Sequence, residues 1–186
     1  MAWLQIIAAC VAVFFLQAAL PGFTTSFAFV PAKALAAPWT FVTSIFLHGG
    51  FAHLLFNMWA LFMFGPLLER RIGEKKFYAL FFLSGIVGNL AFVLFYPANV
   101  LGLGASGAIF GVIGALAVLM PNLPLLFFFI PMPLWLAAIA WGGMEFLLSG
   151  VPDAVARFVH IAGLLVGIAW GMALKKQEPP EYYFGR

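Results

Sequence analysis

Four polar side chains in apolar surroundings are the first candidates for chemistry. Ser106 stands between glycines in GASGAIFG, residues 104–111, and His160 begins the apolar run HIAGLLVGIAWG. A histidine that takes the proton of a serine hydroxyl makes that hydroxyl a nucleophile for acyl transfer. His53 and Asn57 lie four residues apart, so on a helix they point to one side. With the backbone N–H of Ser106, they could bind the oxyanion that such an attack creates.

Each of these residues also has a purely structural interpretation. A serine at a helix start is often an N-cap, and a buried histidine is often a hydrogen-bonded core residue. Asn57 could bond a neighbouring backbone group, and His53 could cap a helix start. His48 adds a third histidine, but there is no H-E-x-x-H spacing and no nearby carboxylate or thiolate ligand. We therefore expect no metal and no cofactor.

The composition defines the elements that must position these groups. Of the 186 residues, 65% are hydrophobic and only 8% are charged, with a mean hydropathy of +1.10. A soluble domain carries about a quarter charged residues. The sequence therefore predicts an all-α polytopic membrane protein in contact with the lipid bilayer. The net charge of +3 comes from basic clusters at the ends of apolar runs, so we expect no nucleic-acid partner.

The apolar runs predict six transmembrane helices in one domain, residues 1–175, followed by a cytoplasmic tail, residues 176–186. The predicted spans are residues 2–20, 51–68, 77–96, 106–120, 134–149 and 155–174. Three prolines break residues 21–50, which we expect to form a long outer loop half-embedded in the membrane. LPLLFFFIPMP, residues 123–133, is too short to cross and is predicted to lie at the interface.

The distribution of basic residues predicts the orientation. Seven lie on one side and two on the other, which places both termini in the cytoplasm of a cell-membrane protein. Ser106 then begins the fourth span from the outer side. Residues 106–120 rise about 22 Å, less than the roughly 30 Å hydrocarbon core. We therefore expect Ser106 at the floor of an outward-facing, water-accessible cavity.

Glycines indicate how the fourth and sixth spans meet. Gly163 and Gly167 follow His160 on one stripe of the sixth span, in overlapping GxxxG units that continue to Gly171. The fourth span has a matching small-residue face that begins at Gly107. Packing these faces together brings His160 level with Ser106, which favours a Ser–His dyad.

The sequence resembles the rhomboid family of intramembrane serine proteases, in its minimal six-span prokaryotic form. The resemblance covers residues 1 to about 175 and rests on four motifs in the family's order: HGGFAHLLFN, GPLLERRIG, GASG and HIAGLLVG. It implies that Ser106 is the nucleophile and that His160 is the general base. It also implies an oxyanion hole made by His53, Asn57 and the backbone N–H groups of Ser106 and Leu103.

The resemblance assigns supporting roles as well. Gly104 and Gly107 would permit the tight turn around the nucleophile. Phe110 stands where many relatives have a tyrosine that stacks under the catalytic histidine. The fifth span would be a lateral gate, and GVPDAVAR, residues 150–157, would cap the site. Glu145 and Asp153 are not assigned to catalysis, and Glu69, Arg70 and Arg71 are interpreted as cytoplasmic anchors.

The implied function is cleavage of peptide bonds in or next to transmembrane segments of membrane-protein substrates. One alternative is an inactive rhomboid-like protein that binds client transmembrane helices. Another is a small transporter or channel, which would need polar groups through both leaflets. The polar residues of this sequence cluster in the predicted outer half, which disfavours a transport pathway.

Overall fold

The computed structural model describes residues 1–127, 130–148 and 156–176, with the side chains of Phe127 and Glu145 outside the description. Six longer helices form the bundle: α1 (Ala2–Ala19), α4 (Phe51–Ile72), α5 (Glu74–Phe95), α6 (Ser106–Leu119), α7 (Leu134–Leu147) and α8 (Arg157–Lys175). Between α1 and α4 lie the short helices α2 (Phe23–Phe27) and α3 (Thr40–Thr43), and 3₁₀ turns at Pro31–Lys33 and Ser44–Phe46.

The chain is an all-α polytopic membrane bundle. In the described part of the chain, α1, α4, α5 and α8 are long and apolar enough to cross a membrane, whereas α6 and α7 are shorter apolar helices. Six crossings therefore stay a prediction, as do the single domain and its tail. Residues 177–186 of the tail lie outside the described residues.

The helix ends differ from the predicted spans where the sequence becomes polar. The second span was expected to end at Leu68, but α4 continues through the charged residues to Ile72. Gly73, with φ +82, then ends α4, and α5 begins directly at Glu74. Hydropathy locates the apolar window, but a helix can continue beyond that window into polar sequence until a residue such as Gly73 ends it.

Two short strands pair after α6, which the sequence did not predict. β1 (Pro124–Phe127) pairs antiparallel with β2 (Ile130–Pro133), from Pro124 opposite Pro133 to Phe127 opposite Ile130. Proline disfavours a helix interior but is tolerated on edge strands, and a two-stranded ribbon consists only of edges. The proline-rich strands therefore pair in an extended conformation. Their location at the membrane interface remains a prediction.

α6 is the central helix of the bundle. Residues 107–116 are all buried, and α4, α5, α7 and α8 pack around them. The closest packing is against α8. A Cβ added to Gly163 would overlap the carbonyl oxygen of Gly107, and one added to Gly167 would overlap that of Gly111. The two predicted glycine faces therefore meet backbone to backbone, which side chains larger than hydrogen would prevent.

The segment between α1 and α4 packs against the turn that precedes α6. Phe29 and Gly102 exchange two backbone hydrogen bonds, with N···O distances of 2.9 and 2.7 Å. The N–H of Gly104 donates to the carbonyl oxygen of Ser44 at 2.9 Å. Asn89 of α5 donates to Ser44 Oγ at 2.9 Å. The backbone on both sides of Leu103 is thereby held in place.

The glycine contact predicts the effect of adding one methyl group. Gly163→Ala would force α6 and α8 apart and lower the free energy of unfolding by about 1–3 kcal/mol. The matched control is Gly143→Ala in α7, where an added Cβ meets no atom within 4 Å. The measurement is the thermal denaturation midpoint of both variants in detergent. If the two midpoints fell equally, the close contact between α6 and α8 would be refuted.

Candidate active site

Ser106 and His160 lie within hydrogen-bond distance of each other. Ser106 is the first residue of α6, and His160 closes the first turn of α8. His160 Nε2 is 2.8 Å from Ser106 Oγ. The imidazole is buried, whereas the serine is half-buried. This geometry suits transfer of the hydroxyl proton to the imidazole, because the two heavy atoms are already in contact.

The serine hydroxyl does not cap its own helix. The N-cap of α6 is Ala105, and no side chain makes a capping hydrogen bond there. The interpretation of Ser106 as an ordinary N-cap is therefore wrong. Its hydroxyl faces α8, and its backbone N–H belongs to the first helical turn, whose N–H groups have no partner within the helix. Such a helix start favours negative charge.

Two aromatic side chains support the imidazole ring of His160 in one orientation. Phe110 stacks on the imidazole with ring centroids 4.5 Å apart and planes inclined by 6°. Trp141 of α7 meets the Phe110 ring edge-on, with centroids 5.0 Å apart. The sequence pointed to Phe110 through the family resemblance. It did not point to Trp141, since one more aromatic residue in an apolar helix carries no distinguishing signal.

The glycines next to the pair set its spacing. A Cβ on Gly107 would lie 2.8 Å from Val159 Cγ1, so the residue after Ser106 lies against the residue before His160. Gly163, one turn below His160, lies against the carbonyl of Gly107. Gly167 repeats this contact one turn further down, which fixes the register of the two helices.

His53 lies beside the turn that leads to Ser106. A Cβ on Gly104 would lie 2.9 Å from His53 Nε2, and Gly104 has φ +121, a conformation that side chains disfavour. Glycine at this position therefore permits both the turn and the approach of the imidazole. Leu103, at the preceding position, directs its side chain towards Gly49, where an added Cβ would lie 3.6 Å from Leu103 Cδ1.

His53 and Asn57 also make structural hydrogen bonds. The backbone N–H of Gly49 donates to His53 Nδ1 at 3.3 Å, which satisfies a donor at the start of α4. The amide Nδ2 of Asn57 donates to the carbonyl oxygen of His53 at 2.8 Å. The structural interpretation of Asn57 is thus confirmed, whereas His53 bonds the backbone just before α4 and makes no capping hydrogen bond at the N-cap, Gly50. The Nε2 edge of His53 faces Gly104.

His48 lies in the loop before α4 and is buried, with 2% of its surface exposed. Its Nδ1–H donates to the carbonyl oxygen of Phe46 at 3.2 Å. Burial, and to a smaller extent the nearby His53, lower the pKa of His48 to about 4, although the bond to Phe46 raises it. Its ring meets that of His53 edge-on, with centroids 5.2 Å apart. His48 is therefore a neutral packing neighbour of His53 at neutral pH.

Several predicted features fall outside the description. Asp153 and most of the proposed cap, residues 150–155, lie outside the described residues, as does the side chain of Glu145. Within the described ranges, no group of three or more His, Cys, Asp or Glu side chains is arranged to hold a metal ion. The absence of a metal and of a cofactor stays a prediction.

Fold and site together define a helical membrane protein with a serine–histidine pair at the start of its central helix. Residues 36–177 match the family model of the rhomboid domain. The mitochondrial rhomboid protein 1 of Saccharomyces cerevisiae is 37% identical over 147 residues, covering 73% of this chain and 41% of the yeast protein. The chain therefore belongs to the rhomboid family.

Two further relatives show the same similarity. Rhomboid protease GluP of Bacillus subtilis is 36% identical over 139 residues, covering 73% of this chain and 26% of GluP. Rhomboid-like protease 3 of Toxoplasma gondii is 43% identical over 90 residues, covering 48% of this chain and 34% of that protein. The chain thus spans about two fifths or less of the length of these curated relatives.

The stacking of Phe110 on His160 predicts a graded loss of serine reactivity. Aromatic stacking contributes about 0.5–1.5 kcal/mol, so Phe110→Leu should slow modification of Ser106 by a fluorophosphonate roughly two- to twelvefold. Phe110→Tyr keeps the ring and should react at nearly the parent rate. The measurement is the pseudo-first-order labelling rate of folded protein in detergent. Equal rates for Phe110→Leu and the parent would show that the stack does not orient His160.

Proposed function

We propose that this chain is an intramembrane serine endopeptidase. It cleaves peptide bonds in or next to transmembrane segments of membrane-protein substrates. The observation that supports this most directly is the 2.8 Å contact between His160 Nε2 and Ser106 Oγ in a helical membrane bundle. Membership of the rhomboid family and the similarity to relatives such as rhomboid protease GluP agree with the same reaction.

In the proposed reaction, Ser106 Oγ attacks the carbonyl carbon of the scissile bond while its proton moves to His160 Nε2. The tetrahedral intermediate collapses when His160 returns this proton to the leaving nitrogen, which releases the new amine and leaves an acyl ester on Ser106. A water molecule then attacks the ester and gives its proton to His160. That proton returns to Ser106 Oγ as the carboxylic acid leaves.

The oxyanion of the intermediate would be held by four donors. We assign them to the backbone N–H groups of Leu103 and Ser106 and to the side chains of His53 and Asn57. Removal of one such donor from a serine protease costs about a hundred- to a thousandfold in kcat. The position of Ser106 in the first turn of α6 adds the positive end of the helix dipole to this site.

The length of α6 supports a site below the membrane surface. Its 14 residues rise about 21 Å, against a hydrocarbon core of roughly 30 Å. We propose that Ser106 opens into a water-accessible cavity on the outer face, with both termini in the cytoplasm. Substrate helices must unwind to expose a carbonyl there, so small or helix-breaking residues near the cut are expected.

We assign α7 as the lateral gate by which a substrate helix reaches the dyad. Trp141 connects α7 to the ring under His160, and an apolar cleft of about 380 Å³ separates part of α7 from α6 and α8. A helix that borders such a cleft has open space beside it into which it can move.

The proposal is tested with a fluorophosphonate probe and a membrane-embedded reporter that carries one transmembrane helix. Parent protein should form an adduct on Ser106, identified by mass spectrometry, and should cleave the reporter in liposomes. Ser106→Ala and His160→Ala should lose the adduct and at least about a thousandfold of the cleavage rate. Ser26→Ala, at an exposed serine of the short helix α2, is the matched control and should retain both.

Two outcomes would contradict the proposal. Folded parent protein that forms no adduct and cleaves no reporter would exclude the peptidase. If that inactive protein still bound the reporter helix, it would be the client-binding relative instead. Cleavage that survived in Ser106→Ala would assign the nucleophile elsewhere.

A further inference from the structure

Gln17, near the end of α1, bonds both backbone groups of His48, a residue of the loop before α4. Its amide oxygen accepts the backbone N–H of His48 at 2.9 Å, and its amide nitrogen donates to the carbonyl oxygen of His48 at 3.2 Å. The same nitrogen donates to Thr24 Oγ1 at 3.0 Å, so both of its protons are used. The side chain of Gln17 therefore acts as a two-point clamp on His48.

The clamp orients the peptide unit that contacts His53. The carbonyl oxygen of His48 and the N–H of Gly49 belong to one trans peptide, in which they point in opposite directions. Gln17 binds the carbonyl oxygen, and the N–H on the other side donates to His53 Nδ1 at 3.3 Å. A donor on the carbonyl also polarises the peptide and strengthens the hydrogen bond that its N–H makes.

This hydrogen bond selects one tautomer of His53. A ring nitrogen that accepts a hydrogen bond carries no proton, so neutral His53 must be protonated on Nε2. The Nε2 edge faces Gly104, two residues before Ser106. In this tautomer, His53 presents a donor to an oxyanion near Ser106. In the other tautomer it would present a lone pair, which repels negative charge.

We propose that Gln17 is a positioning residue for the oxyanion hole. Through the peptide unit of His48 and Gly49, it holds His53 in the tautomer whose Nε2–H faces the reaction. The inference rests on the proposed function for its catalytic consequence, but the tautomer itself is a property of the resting protein. A purely structural role for Gln17, as a link between α1 and the loop, makes different predictions.

The first test measures the tautomer without any substrate. The 186-residue chain, labelled with ¹⁵N-histidine, contains three histidines, and single substitutions assign their signals. At a pH where the rings are neutral, the nitrogen shifts of His53 should show an unprotonated Nδ1 and a protonated Nε2. Gln17→Met should give a mixture of tautomers. Gln5→Met, the same change at the other end of α1, should leave the spectrum unchanged.

The second test asks whether the effect of Gln17 passes through His53. Gln17→Met should lower kcat about ten- to a hundredfold with KM changed less than about twofold, by analogy with the groups that orient metal-bound histidines, whose mutation typically costs this much. In a His53→Ala background, Gln17→Met should lower kcat no further. Gln5→Met should leave kcat unchanged in both backgrounds.

The outcomes separate this inference from the proposed function. A proton on Nδ1 of His53 in the parent, or an equal kcat loss from Gln17→Met in both backgrounds, would overturn the role of Gln17. An inactive parent would contradict the peptidase, while the nitrogen shifts would still decide the tautomer. If Gln17→Met does not fold, ionised Gln17→Glu keeps the acceptor for His48 but lacks the donor, and should also give mixed tautomers.

Discussion

The backbone contact between α6 and α8 is the constraint on which the rest of the structure depends. In lipid, apolar side chains gain little from meeting one another, so helices associate through close packing and hydrogen bonds. Gly163 and Gly167 remove the side chains that would keep the two helices apart, and the carbonyls of Gly107 and Gly111 fill the space. The resulting register places His160 against Ser106, so the spacing of the reactive pair is a consequence of helix packing.

A second set of contacts holds the turn before Ser106, and here the backbone is irregular. Gly102 and Gly104 are bonded to the segment between α1 and α4, which is itself bonded to Asn89 of α5. Irregular backbone within a membrane protein needs such partners, because unsatisfied N–H and C=O groups cost several kcal/mol in a lipid environment. The long loop therefore serves as the backbone partner of the turn that presents the proposed nucleophile.

Sequence alone predicted what depends on composition and on short periodicity. Apolar windows located the long helices, and the glycine stripes indicated that α6 and α8 face each other. The continuation of α4 to Ile72 and the pairing of β1 with β2 were not predicted, since both depend on local geometry beyond the apolar windows. Trp141 and Gln17 were missed because their roles come from contacts between distant segments. The available signal for Gln17 was that it is one of only two amide side chains in the apolar helix α1.

The structural hydrogen bonds of the polar residues are compatible with the catalytic roles proposed for them. His53 accepts a structural hydrogen bond on Nδ1 while Nε2 faces the turn, and Asn57 donates to a backbone carbonyl from the same face of α4. The imidazole of His53 divides the two tasks between its nitrogens, since Nδ1 accepts the backbone bond and Nε2 is directed at the proposed oxyanion. Asn57 divides them differently, because its Nδ2 carries two protons, one of which is donated to the carbonyl oxygen of His53. A polar side chain in a membrane that must both bond the backbone and serve the proposed reaction therefore needs a second hydrogen-bonding atom or a second donor proton.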